Sequence, residues 1–595
     1  MKVKGFTKAK ARRIFRSRRR QVDDLTDTAS RHIDRHIFRR LTNFADVGRF
    51  ITAWLLLVLV LIAGVVYQSR GLAQYYLSNQ PTEGGILSEG IIGTYTNPNP
   101  LFASSTIDLS VSKLIYNSIL THDESGDLVN DLANSIVRSD NGLVYTVKLR
   151  QGILWQDGRE LTASDVVYTY RAIQNPDTKS PYNVSWQGIK LEAPDPYTVT
   201  FTLPSALNSF PLSLTNGIVP AHLLQDTPYE ELRSSTYNAT PIGTGPFRLS
   251  EVVRIDDFEA IKKRQRIQLV RNESYFKARP QLDAFVVYAL NEEQDLRDYL
   301  DQRKIETAVF NSFPSFDESS GERYSLTTVP LLAGSYLFFN TTQAPFDNAQ
   351  LRQALLLGTN TDSVIASLGY PVQDIDSPLL RSHTGYDPSL TQQGYDLDQS
   401  KQILDSLGWV IPTDSTIRSK EGKPLELTIT TLEGSDFTKI ASTIQKTWAD
   451  DLGVKVNIVT RSPADLQPLV LQHTYQVLLY GISLSNDPDV FAYWHSTQAV
   501  PDRFNLSMYK SDVADRSLEA GRTRPDIAIR AAKYKPFLDA WRKDVPAIGL
   551  FQPPLFYVSS TKIHNFDTKR LNSAADRFYN VENWQIITAD LPIVK

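Results

Sequence analysis

The longest uninterrupted signal in the chain is apolar. Between Arg49 and Arg70 the segment Phe50 to Ser69 carries no charge, and the run from Trp54 to Tyr67 inside it is almost wholly aliphatic. As a helix it spans about 30 Å, the hydrocarbon thickness of a bilayer. No polar stripe divides it, and Trp54 and Tyr67 stand where interfacial aromatics belong, so a buried core helix is the weaker reading. Beyond it the pattern turns to alternation. Ile136-Val-Arg138, the turn Asn141-Gly142 and Val144-Tyr-Thr-Val-Lys-Leu149 predict a hairpin with Tyr145, Val147 and Leu149 on one face. Thr162, with Asp165 three residues on, predicts a capped helix start that carries Val166, Val167 and Tyr170 towards a core. Leu425 to Thr431 alternates, Phe437 to Leu452 has helical spacing with Gly453 as stop, and Val454 to Val459 alternates again. That is a βαβ unit with parallel strands. Tyr475 to Tyr480 predicts a further buried strand, and the loop after it leaves a strand carboxyl end, where open α/β sheets bind ligands.

Charge gives the apolar run an orientation. Residues 1–50 hold 15 Lys/Arg against 5 Asp/Glu, whereas the whole chain has 63 against 66, so the remainder is net acidic. The basic excess places the N-terminus in the cytoplasm and residues from about 70 onward outside it. Forty-nine residues before the run are too many for a cleaved signal peptide, so 50–69 reads as a retained signal-anchor. Within residues 1–49, Arg12-Arg13, Arg16, Arg18-Arg19-Arg20 and an amphipathic stretch around Ile33, Ile37, Phe38 and Leu41 suit a helix on anionic lipid. A nucleic-acid arm is the rival, but no aromatic interleaving supports base stacking and no nucleic acid is expected. His32 and His36 lack a third ligand. Residues 70–85 read as a stalk. There is no cysteine, so neither disulfides nor a lipidated cysteine is available, and stability must come from apolar cores that 595 residues can build.

Enzyme signatures are missing. The chain has no phosphate loop, no Gly-x-Ser-x-Gly elbow and no His-Glu-x-x-His. His122, His222, His383, His473, His495 and His564 are scattered, so no metal or other cofactor is expected. Gly243-Thr-Gly245 runs into a strand rather than a helix and reads as a strained turn.

Several motifs in order carry a resemblance. Asn97-Pro-Asn-Pro-Leu101, Leu114-Ile-Tyr-Asn-Ser-Ile-Leu120, Asp131-Leu-Ala133, Tyr145 to Gly158 and Leu161 to Tyr168 are followed by Pro241-Ile-Gly-Thr-Gly-Pro-Phe247 and Pro345 to Ala354. Tyr395 to Trp409 and Asn505-Leu-Ser-Met-Tyr509 complete the series. Over about residues 86–590 the chain resembles the solute-binding protein family 5, the extracytoplasmic receptors of peptide and oligopeptide ABC importers. Locally the motifs are scaffold: Asp157-Gly158 a turn, Thr162 a cap, Phe346 and Leu351 core anchors, Gly408 a helix stop.

The resemblance implies an α/β fold, a bilobed periplasmic-binding-protein-like body of the type II, three-domain kind, preceded by one N-terminal transmembrane helix. Lobe I would comprise 86–117, 208–330 and 545–595, the intermediate domain 118–207, and lobe II 331–544. Hinge closure would bury an oligopeptide for delivery to ABC-transporter permease subunits, with the receptor a monomer. The ligand would add as a strand between Ser104, Ser105 and Thr106 of one lobe and Tyr480, Gly481 and Ile482 of the other. Peptide binders of the family carry an aspartate four residues before a loop proline, to pair the ligand ammonium. Counting back from Pro488 gives Leu484, so the carboxylate is displaced in Leu484-Ser485-Asn486-Asp487. Either Asp487 or Asn486 moves in, or the ligand has no free amine. A receptor for an oligosaccharide or metal complex, and a surface chaperone or scaffold, are the alternatives; a hydrolase ranks last because no nucleophile accompanies Asp487 and Asp489.

Overall fold

The computed structural model describes residues 48–255, 263–314 and 323–592, so the basic segment 1–47, with His32 and His36, lies outside the described residues. The chain divides into two units: the N-terminal residues to Gln80 with those from Thr588 onward, and Pro81–Ile587. In the first, the helix Gly48–Tyr76 contains Phe50–Gln68, the one helix among the described residues long and apolar enough to cross a membrane. Its apolar side chains are exposed, Trp54 and Leu59 by about two-thirds. Residues 70–85, expected as a stalk, instead continue this helix to Tyr76 and enter the strand Leu77–Thr82, which pairs with Ile587–Pro592.

The large unit is built on three sheets. A seven-stranded sheet has the spatial order Tyr324–Pro330, Pro554–Ser560, Thr307–Phe310, Ile86–Ile92, Ala284–Leu290, Gln265–Arg271 and Phe247–Arg254. Ile86–Ile92 lies between two parallel neighbours. Strands so placed are covered on both faces, which is why Ala284–Leu290 reads Ala-Phe-Val-Val-Tyr-Ala-Leu without alternation. A six-stranded sheet runs Gln373–Asp374, Ala547–Gln552, Ala333–Phe339, Val477–Ser483, Glu426–Leu432 and Lys455–Arg461. The strand Ala547–Gln552 was expected in lobe I with the rest of 545–595. It pairs with Ala333–Phe339 instead, because all six of its residues are buried between the layers of the second sheet.

The βαβ unit is present, with Glu426–Leu432 and Lys455–Arg461 parallel and the helix Asp436–Leu452 between them. Gly453 ends that helix at φ 67°, a conformation open to glycine. The predicted hairpin is Ala133–Arg138 against Val144–Leu149, part of a four-stranded sheet with Thr198–Thr202 and Lys190–Asp195. Tyr145, Val147 and Leu149 are all buried. The helix Ala163–Gln174 starts where expected, the Asp165 carboxylate accepting from the Thr162 N–H at 2.9 Å. Gly243 and Gly245 are there for close approach and not for strain, since neither has positive φ. A Cβ on Gly243 would lie 1.8 Å from the Ile115 carbonyl oxygen, at the end of the helix Thr106–Ile115.

Candidate functional site

The motif Asn97-Pro-Asn-Pro-Leu101 builds the first wall of the site. The Asp108 carboxylate accepts from the Thr96 and Asn97 N–H groups at 2.8 and 3.1 Å, and Asn99 Oδ1 from the Leu101 N–H at 3.0 Å. This ties the extended, proline-stiffened loop to the first turn of the helix Thr106–Ile115. From the four-stranded domain, Ser180 and Tyr182 donate to the carbonyls of Leu101 and Ala103 at 2.7 and 2.5 Å, pinning the loop's other side. Trp186, stacked on Tyr170 with centroids 3.8 Å apart, closes that wall.

The cavity so enclosed has a volume of about 460 Å³, within the range of small-ligand sites. Pro100, Ala103 and Leu109 line it on one side, Trp186 and Leu212 on another, and Ser483 reaches it from the six-stranded sheet. Its ionisable corner is made by His122 and Asp576, which are 454 residues apart in sequence. His122 Nδ1 lies 3.3 Å from Asp576 Oδ1, while Oδ2 accepts from the Ser573 N–H and hydroxyl at 2.9 and 3.0 Å. Burial alone would raise the Asp576 pKa; the hydrogen bond and charge of His122, with Lys113 and Ser573, outweigh it and hold the carboxyl down to about 2. Asp576 is therefore an anion, and His122 Nδ1 carries the proton between them. His122 Nε2 has no hydrogen-bond partner.

A second cavity, about 490 Å³, shares Ser483 with the first. Its walls are mostly apolar, from Leu432, Leu466, Val470, Tyr480, Tyr493 and Phe504. Beside it the strand Val477–Ser483 has an open edge. Pairing with Glu426–Leu432 covers only Val477 and Leu478, whereas pairing with Ala333–Phe339 continues to Ser483. The Leu479 carbonyl accepts from Thr431 Oγ1 at 2.9 Å on the shorter side. Alternation along a strand then directs the Gly481 N–H and C=O to that same edge, past the last paired residue.

The family model described as bacterial extracellular solute-binding proteins, family 5 Middle, matches residues 127–503. The chain belongs to this family. Among its curated relatives, the oligopeptide-binding protein AppA of Bacillus subtilis is 26% identical over 520 residues, 85% of this chain and 92% of AppA. The solved structure of AppA in complex with a nonapeptide superposes with a TM-score of 0.70 at 24% identity, covering 85% of this chain and all of that one. NikZ from Campylobacter jejuni in complex with Ni(L-His) also reaches 0.70 at 24% identity, covering 84% of this chain and 99% of NikZ. These likenesses carry the solute-binding-protein fold.

Against that family pattern, the expected contact residues divide. Tyr480, Gly481 and Ile482 line the second cavity, as expected of a strand that meets a ligand. Ser104, Ser105 and Thr106 are exposed at the helix start, where Ser105 Oγ accepts from the Asp108 N–H at 3.1 Å; the wall of the first cavity is Ala103. The loop after Ser483 lines neither cavity except through Ser483 itself. Leu484 is buried in the apolar cluster around Trp494 and Tyr336. The Ser485 carbonyl accepts from His383 Nε2 at 2.8 Å, and Asn486 Nδ2 donates to Asp127 at 2.5 Å. Asp487, expected as the ammonium partner, is clasped by both Nη atoms of the buried Arg530 at 2.7 and 2.5 Å, so its charge is already neutralised. His122, Asp576 and Ser573 were missed. Their only sequence signal is that they are polar; three distant segments bring them together.

Proposed function

We propose that this protein is a membrane-anchored extracellular receptor that captures oligopeptides between two lobes and hands them to the permease of an ABC importer. The observation that carries the reading is the open strand edge at Gly481 beside two joined cavities, which suits an extended peptide backbone added as a further strand. The similarity to AppA, a named oligopeptide-binding protein, supports the same ligand class. Lobe I would hold the seven-stranded sheet, lobe II residues 331–552 with its six strands, and 118–207 the intermediate domain. Ser209 Oγ donates to Asp489 at 2.7 Å and the Asn208 N–H to the Arg522 carbonyl at 3.0 Å, contacts suited to a latch across the closed form. The helix over Phe50–Gln68 is the anchor, with residues 1–49 cytoplasmic and the receptor a monomer. It acts by capture, not catalysis.

Full-length protein in detergent micelles, warmed with a random pentapeptide pool, tests this. Ligand at 100 times its Kd stabilises by about 2.7 kcal/mol, and the pool is expected back intact by mass spectrometry. A shift with oligosaccharides or nickel-histidine and none with peptides would overturn the assignment. That second reading has one observation in its favour: the loop Leu484 to Asp487 presents no free carboxylate to a peptide amine.

A further inference from the structure

The closed loop leaves a question that the first cavity answers, if the ligand is a peptide as proposed above. We infer that His122, backed by Asp576, is the acceptor for the ligand's cationic amine, a role that the sequence pattern would have given to the loop before Pro488. The geometry fixes the roles of the ring. Asp576 accepts from Nδ1–H and from two groups of Ser573, so the proton sits on Nδ1 and the neutral imidazole offers a lone pair at Nε2. His122 is 6% exposed, and this nitrogen has neither a protein partner nor contact with solvent. A buried polar atom left unpaired is costly, and a ligand N–H that reaches it gains a bond for which water does not compete.

The charge balance favours an amine over an anion. Asp576 contributes one negative charge behind the ring, and the carboxylate raises the basicity of the nitrogen it polarises, as carboxylates do behind metal-binding histidines. The nearest cation, Lys113, donates to Thr121 Oγ1 at 2.7 Å. Thr121 and His122 are successive residues of the strand Leu120–His122, so their side chains leave opposite faces and the ammonium is drawn away from the imidazole. The cavity corner thus carries a net negative charge with an exposed acceptor.

The test compares a random pentapeptide pool with the same pool N-acetylated, by thermal shift and by titration of the full-length protein. A charge-assisted hydrogen bond predicts that the free-amine pool binds roughly 10-fold to 100-fold tighter. His122→Phe should erase that preference, and His122→Gln, which keeps a side-chain acceptor, should restore part of it. A readout without any substitution accompanies them: the ¹⁵N resonance of His122 Nε2 in the parent protein should move on adding the free-amine pool and stay with the acetylated one. If peptides bind and His122→Phe keeps the preference, or the resonance does not move, the inference falls and the peptide reading stands. If no peptide pool binds the parent protein, both fall.

Discussion

Glu89→Leu leaves the Arg577 guanidinium, which is 0% exposed, without its carboxylate. In the parent, Arg577 Nε and Nη2 both donate to Glu89, which also accepts from the Tyr557 hydroxyl at 2.9 Å and from Thr307 Oγ1 at 3.3 Å. After the substitution the cation keeps only Ser110 Oγ and the Ala574 carbonyl. Breaking a buried pair by removing one partner costs about 3–5 kcal/mol, since the remaining charge is neither solvated nor neutralised. For a body of roughly 500 residues the unfolding entropy is about 1 kcal/mol/K near the midpoint, so Tm should fall by about 3–5 °C. The double variant Glu89→Leu/Arg577→Met removes both charges and should recover at least half of that fall. Calorimetry of the two variants reads both numbers. Because the segment Ala574–Phe578 carries Asp576 and Arg577 as neighbours, the single variant should also loosen peptide retention, and the double variant should regain it. A single variant within about 1 °C of the parent, or a double variant that falls by the sum of two singles, would refute the reasoning.

The site and its supports yield further tests. His383 is pushed down to about 4 by burial, against which its bond to the Ser485 carbonyl works only partly. Its folded pKa lies below the ordinary 6.5, so its contribution is complete above pH 6.5 and is lost as pH falls towards 4. That slope amounts to about 3 kcal/mol in chemical denaturation and should vanish in His383→Gln. Asp576, held at about 2 against 3.8, contributes fully above pH 3.8 and loses on the order of 2 kcal/mol as pH falls through 2, a lower window that Asp576→Asn removes. Gly243→Ala should cost about 3 kcal/mol or more by urea titration, the new methyl having no room against the Ile115 carbonyl. Ser209→Ala removes a hydroxyl from the buried Asp489 carboxylate, and peptide release measured by stopped flow should quicken by roughly 10-fold.

Local signals carried much of the architecture. The capping pair Thr162 and Asp165, the βαβ periodicities of 425–459 and the uncharged run from Phe50 are decided by neighbours within a few residues, and each element lies where its pattern places it. What depends on distant partners was not legible. The strand Ala547–Gln552 has the same apolar run whichever sheet takes it, and only Ala333–Phe339 decides. Asp487 looks like a free carboxylate until Arg530, brought by a helix more than forty residues later, covers both its oxygens. His122 looks like any isolated histidine until Asp576 arrives from the far end of the chain. Motif order identified the family because the motifs build turns, caps and core; the ligand-facing atoms are set by side chains those motifs do not contain.

Amide hydrogen exchange at Gly481, with and without the pentapeptide pool, tests most directly whether the strand edge receives a peptide. Its N–H points past the last residue paired with Glu426–Leu432, so it should exchange quickly in the free protein and slow at least 10-fold, roughly, when peptide binds. Stabilisation by peptide with unchanged exchange at Gly481 would contradict the account.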